Sequence, residues 1–335
     1  MMRLSVLDQA PVTTGHTPQQ AVEYAVELAQ HAEKLGYDRM WMAEHHGSEA
    51  FASSAPEIIA AYIAAKTDKI RLGTGGTMMM HYSPLKMAEV FKTLSALAPG
   101  RIDYGVGRAP GGDQRSIYAL SQGNEPDFEH LYDKLDTALD LINDKLPDEE
   151  LYRYTPASPQ KVSLPEAWLL GSSGNSAIEA GRRGMGYSFA QFFMLGAMRK
   201  EIFDLYRHHF EPSEFMDKPE ISVAYLVTAA ESREEAEYLA KPQDIARIRL
   251  SQGRMDQLMT PEEAADYQFT DEEQAAVTQN RGIHLVGTAA EVADKLRQDQ
   301  ETYGFQEAMI CSIQHTQKQR LNVYKLLANE LLQDK

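Results

Sequence analysis

Short apolar runs alternate with longer amphipathic stretches along the whole chain. Residues 3–8 read as a first strand. Thr17 and Pro18 then supply a cap and a first-turn proline, and Val22, Ala25, Val26, Ala29 and Ala32 recur at helical spacing as an apolar stripe. Gly36 ends that helix. The succession repeats, with strands expected at 37–42, 69–75, 102–107, 167–170, 186–190, 221–230 and 307–313. Ser54 with Pro56 opens a second helix, Ser83-Pro84 a third, and residues 127–143 carry Leu131, Leu135, Leu139 and Ile142 on one face. Residues 231–280 are polar, acidic and helical, too long for a simple connection, and read as an inserted excursion. Gly287 and Thr288 start a helix over 289–303, and a last helix runs to about 332. Eight strand–helix alternations predict an α/β fold of the (β/α)8 TIM-barrel type, one domain over residues 1–335.

Polar and glycine-rich clusters collect just past the strands, on the barrel face where ligands bind. After the second strand come Glu44, His45 and His46; after the third, Gly73-Thr74-Gly75-Gly76 and then Met78, Met79 and Met80; after the fourth, Gly107-Arg108 and a run to Asp113. His45 and His46 read either as a surface pair or, given this face, as acid–base groups titrating near neutral pH. Glu44 is placed to orient an imidazole or accept from a ligand. As a metal set the trio is poor, because adjacent strand-end side chains point apart and no second cluster adds a ligand. The glycines suggest backbone approaching something closely. The methionines suit either core or the lining for a flat aromatic ligand.

Arg108 reads as a surface ion pair or as an anion clamp. Gly171-Ser172-Ser173-Gly174-Asn175-Ser176 favours the clamp, since it leads from a strand into a helix N-terminus, where free N–H groups and hydroxyls suit a phosphate. It lacks the Gly-Lys-Ser/Thr of a Walker loop, and the acidic ribose ligand of a dinucleotide fingerprint is absent. A single phosphate fits it best. The net charge of −16 argues against nucleic acid or an anionic membrane as partner, without excluding a local basic pocket. Cys311 is the sole cysteine, so no internal disulfide forms. With no signal-like N-terminus and no apolar run of about 18 residues, a soluble cytoplasmic protein is expected.

Taken together, these segments resemble the bacterial luciferase-like flavin monooxygenases, nearest to single-chain members with a Gly-Arg-Ala-Pro-Gly segment, here residues 107–111. Leu72–Thr77, His81–Pro84, Pro99–Arg108 and Leu285–Ala293 carry the resemblance along with Glu44, His45 and His46. It implies FMN, delivered as FMNH2 by a separate flavin reductase, with O2 activated as a flavin hydroperoxide and a small organic substrate such as an aldehyde. By position it implies His45 and Glu44 as catalytic residues, and Arg108, Ser172, Ser173 and Ser176 around the phosphate. Gly75, Gly76, Gly107 and Gln191 complete the cofactor set, with a cis Gly75–Gly76 peptide against the ring. Gly107 stands where luciferase has a reactive cysteine, and Ser172 where luciferase is acidic. The resemblance further implies a lid over 231–280 and a homodimer through the helices around 54–67 and 85–97. Two other readings stay open: an F420-dependent hydride-transfer enzyme, for which this acidic chain offers few basic residues, and a non-catalytic flavin-binding protein.

Overall fold

The computed structural model describes residues 2–332 except 194, 195 and 197. In chain order its strands are β1 (Arg3–Asp8), β2 (Arg39–Met42), β3 (Arg71–Thr74), β4 (Thr77–Met78), β5 (Ile102–Gly107), β6 (Glu166–Gly171), β7 (Gly186–Ala190), β8 (Ile221–Ala230), β9 (His284–Thr288) and β10 (Glu307–Cys311). The helices are α1 (Pro18–Leu35), α2 (Pro56–Ala64), α3 (Pro84–Leu97), α4 (Gln114–Leu120), α5 (Leu131–Ile142), α6 (Gly174–Arg182), α7 (Lys200–His209), α8 (Arg233–Ser251), α9 (Pro261–Ala265), α10 (Asp271–Asn280), α11 (Ala289–Tyr303) and α12 (Gln317–Leu331). Strands β1, β2, β3, β5, β6, β7, β8 and β10 pair in parallel, and β10 returns to β1, which closes the barrel. The expected TIM barrel is the observed fold.

Alternation along each strand sorts the apolar residues into two cores. Met40, Leu72, Ile102 and Leu169 face outward to the helices, in a continuous layer with Leu28, Ile63, Phe91 and Phe203. Leu7, Trp41, Trp168, Ala224, Met309 and Cys311 fill the barrel itself. Trp41 and Trp168 meet edge to face at 5.4 Å. A Cβ on Gly186 would stand 2.4 Å from the Trp168 ring, so the neighbouring strand must be bare there.

Beneath the tryptophans the barrel floor is ionic. Arg39, 2% exposed, reaches Asp103 at 2.8 Å, Glu307 at 2.9 Å and Glu166 at 3.0 Å. Arg71 also pairs with Asp103, and the Trp41 indole N–H donates to the same carboxylate at 2.8 Å. The Arg39 guanidinium lies 4.8 Å from the Trp168 ring centroid. Every charge at this depth has partners, which is what makes a buried cluster tolerable.

Three elements differ from the sequence expectation, the two-residue β4 among them. Strand β9 pairs with the outer half of the ten-residue β8, Leu226 to Ala230, while β10 pairs with Ser222 to Leu226. Its short Leu-Val-Gly core carries little strand signal. Helix α4 buries no residue, so no apolar stripe announces it. The 231–280 stretch is helical as expected, divided into α8, α9 and α10. It docks across the β1 and β2 ends: Thr14 N–H donates to Leu258 O at 2.9 Å, and the Ser48 hydroxyl meets Met255 Sδ at 3.1 Å.

Arg39→Leu leaves the buried Asp103 and Glu307 uncompensated, and is expected to cost about 3–5 kcal/mol of unfolding free energy. Urea denaturation measures it; a loss under about 1 kcal/mol contradicts the account of the floor.

Candidate active site

A cavity of about 970 Å³ opens over the C-terminal strand ends. That lies at the upper end of the roughly 300–1,000 Å³ typical of ligand pockets. Glu44, His45, Gly75, Gly76, Gly107, Arg108, Ser172, Ser173 and Ser176 all contribute to its wall. The structure thus brings together every expected site residue except Gln191. That side chain turns away: its amide donates to the Gly282 carbonyl at 3.1 Å, against the turn before β9.

The phosphate-binding expectation rests on the α6 N-terminus. Ser173 caps it in β conformation, its hydroxyl accepting from Ser176 N–H, while the Ser176 hydroxyl reaches back to the Ser173 N–H. Ser176 is 2% exposed, donates to Ser173 O at 2.9 Å and stands 3.2 Å from the Tyr187 hydroxyl. Its hydroxyl is therefore committed to shaping the turn. Ser172, the first-turn N–H groups and exposed Arg108 remain to meet an anion there, aided by the positive helix end.

On the flank, the Gly75–Gly76 peptide is cis, as expected. A Cβ on Gly76 would fall 2.7 Å from Gly107 N, so this wall is bare backbone packed on backbone. Met78 lines the cavity, whereas Met79 and Met80 are core.

Glu44 is fully buried and takes donors from three segments: His46 Nε2 at 2.7 Å, Tyr82 hydroxyl at 2.7 Å and Met78 N–H at 3.0 Å. It orients His46 rather than His45. Burial and the adjacent Glu44 carboxylate push the Tyr82 phenol up, so it stays a donor. His46 N–H in turn donates to Gly111 O at 2.6 Å, and His81 Nε2 contacts Pro110 O at 2.9 Å, which fixes the Gly-rich loop after β5. Glu44 acts here as a scaffold for the wall.

His45 is differently placed. Its ring stacks on Phe51 at 4.6 Å, its N–H donates to Ser53 O at 2.8 Å, and its Nε2 lies 3.1 Å from Gln9 Nε2. Burial, reinforced by His46 nearby, lowers its pKa to about 4, against the pull of Glu44. It is therefore neutral at pH 7, not poised near neutrality as its residue type suggests. The cavity also has an apolar lining, with Phe128, Phe192, Phe193, Leu250, Met255 and Met309. Gln9 and these residues were not singled out in the sequence; for Gln9 the signal was available, since it directly follows a strand.

The luciferase-like monooxygenase family model matches residues 2–307. The chain belongs to that family. N-acetyl-S-alkylcysteine monooxygenase of Bacillus subtilis is 38% identical over 99% of both chains. Luciferase-like monooxygenase of Escherichia coli K12 is 37% identical over 88% of this chain and 86% of its own. The crystal structure of apo-MsnO8 superposes with a TM-score of 0.90 at 36% identity, covering 99% of each chain. As a luciferase-like monooxygenase the protein is an enzyme, and its cavity stands where barrel enzymes carry their chemistry. Among the described residues, no helix is long and apolar enough to cross a membrane.

The low pKa of His45 has a thermodynamic sign. Unfolded, the imidazole takes up a proton near its ordinary value of 6.5; folded, it does so only near about 4. Between these values the unfolded state binds more protons, so acidification lowers stability. His45→Gln should flatten the fall in unfolding free energy from pH 6.5 to 4. Parallel pH–stability curves for the two proteins contradict the shift.

Proposed function

We propose that the cavity holds FMN, used in its reduced form, and that the protein is the oxygenase component of a two-component flavin monooxygenase acting on a small organic substrate. The observation that carries this reading is the division of one cavity. Arg108 and the α6 N-terminus form an anion-binding end, the glycine backbone at 75, 76 and 107 with Met78 offers a flat flank, and His45 faces the same space. That lining matches a phosphate, a planar ring and a reacting group in order. Bound FMNH2 would supply the electrons that activate O2, one oxygen atom going into the substrate.

The chain's own residues do the rest. Arg108 and the α6 N–H groups would hold the phosphate through charge-assisted bonds. Glu44 keeps the β2, β4 and Gly-rich loops in one arrangement, so the wall needs no reorganisation when the ligand arrives. His45 presents a neutral imidazole to the reacting region. The segment from α8 to α10 would serve as the lid, with Leu250, Gly253 and Met255 over the cavity to exclude water. The reductase would be a separate cytoplasmic partner. Exposed Ile58 and Tyr62 on α2, and Leu97 at the end of α3, would bury against a second copy.

To test the reaction, NADH, FMN and a generic flavin reductase are combined with the protein and a panel of aldehydes, ketones and thioethers. The thioethers enter the panel because of the N-acetyl-S-alkylcysteine relative. The expected result is products one oxygen atom heavier than substrate. F420 reduction with an alcohol, or flavin binding without any oxygenated product, overturns the reading.

Arg108→Ala should weaken FMN binding by about 10- to 150-fold, the worth of one charge-assisted hydrogen bond, with riboflavin affinity little changed. Equal losses in a binding titration remove Arg108 from the phosphate site. His45→Gln should leave FMN affinity intact and lower turnover by about 10²–10⁴-fold; an unchanged kcat makes His45 structural. Light scattering should give twice the 37.5 kDa chain mass at micromolar concentration, and a monomer contradicts the dimer.

A further inference from the structure

Gln9, the residue directly after β1, reaches across the barrel mouth between the ends of β2 and β10. Its Nε2 lies 3.1 Å from His45 Nε2, and its Oε1 accepts from the Cys311 thiol at 4.0 Å. We propose that Gln9 is a positioning residue that fixes the His45 tautomer, holding the ring proton on Nδ1.

The chain of contacts starts at Cys311. Burial, reinforced by the Asp8 charge, pushes that thiol up to about 12, so at neutral pH it keeps its proton and is a donor. A donor facing Gln9 Oε1 sets which end of the amide turns to His45. The amide NH2 carries two protons and no acceptor, so the imidazole nitrogen opposite must offer its lone pair. In a neutral ring that places the proton on Nδ1. Groups around His45 support a neutral ring: Phe51 covers one face, Ser53 O holds its main-chain N–H, His46 adds repulsion to a second charge, and the Glu44 carboxylate is already occupied by three protein donors.

Asp8 anchors the arrangement from below. One carboxylate oxygen accepts from Ala10 N–H at 3.0 Å and the other lies 2.6 Å from Arg320, both partners buried. The chain on either side of Gln9 is thus pinned, and its side chain has a fixed origin. Among the described residues no protein group hydrogen-bonds His45 Nδ1, which leaves that N–H as the one His45 proton available to a cavity occupant. His45 then donates to its ligand and cannot accept through Nε2 while Gln9 holds it. The consequence for turnover rests on the proposed function; the tautomer does not.

Long-range ¹H–¹⁵N correlation on histidine-labelled protein at pH 7 reads the tautomer directly, with His45 assigned by its loss in His45→Gln. Expected for the native protein is an unprotonated-type Nε2 and a protonated-type Nδ1. Gln9→Glu offers His45 a carboxylate that only accepts, so it should invert the pattern to Nε2–H and raise the His45 pKa by about one unit or more. Gln9→Leu should give a mixture of tautomers. Both variants should lower kcat about tenfold, the worth of one hydrogen bond, with KM and FMN affinity within about twofold. Nε2–H in the native protein, or identical His45 signals in all three proteins, overturns the proposal. A switched tautomer with unchanged kcat overturns Gln9 as a positioning residue for the reaction. Native protein with the expected tautomer but no oxygenated product sinks the proposed function alone.

Discussion

One buried carboxylate organises the cavity. Glu44 sits fully inside, at the end of β2, and its oxygens receive Met78 N–H from the β4 segment, the Tyr82 hydroxyl ahead of α3, and His46 Nε2 from its own loop. Through His46 the constraint passes to Gly111 and the loop that carries Arg108. A buried charge with this many donors is tolerated, and removing the carboxylate would leave its donors unsatisfied, at about 1–3 kcal/mol each. The loops are therefore locked to one another as well as to the strands. A wall that must meet a large ligand without rearranging needs this kind of closure.

Electrostatics in the molecule are local rather than global. The chain carries a net charge of −16, yet among the described residues Arg108 is the one lysine or arginine in the cavity wall. A single guanidinium beside a helix N-terminus is matched to one phosphate and ill matched to a long acidic tail. Further in, burial keeps His45 uncharged. The ionic groups are segregated to the opposite floor, where Arg39, Asp103 and Glu307 neutralise one another.

Much of this was legible in the sequence, because strand–helix alternation is local and barrel geometry turns strand ends into one face. Glu44, His45, the glycines at 75 and 76, Arg108 and the α6 serines could all be placed together without coordinates. What could not be read depends on distant segments meeting. Gln9 finds His45 36 residues away and Cys311 302 away, contacts that exist only once the barrel closes. Gln191 likewise meets Gly282, which lies beyond the helical excursion. Residue type also misled for His45, whose protonation is set by burial rather than by its intrinsic pKa. Glu44 could be read as orienting an imidazole, and only the turn after β2 shows that the imidazole is that of His46.

The central claim is that this cavity binds FMN with its phosphate at Arg108 and the α6 N-terminus, its ring along Gly75–Gly76 and His45 facing the reacting edge. A crystal structure of the protein with FMN tests it most directly. The account predicts phosphate oxygens within hydrogen-bonding distance of Arg108 and the α6 N–H groups, and the ring against the glycine backbone with Glu44 still holding its three donors. A phosphate bound elsewhere, or a ring lying outside this wall, would contradict it.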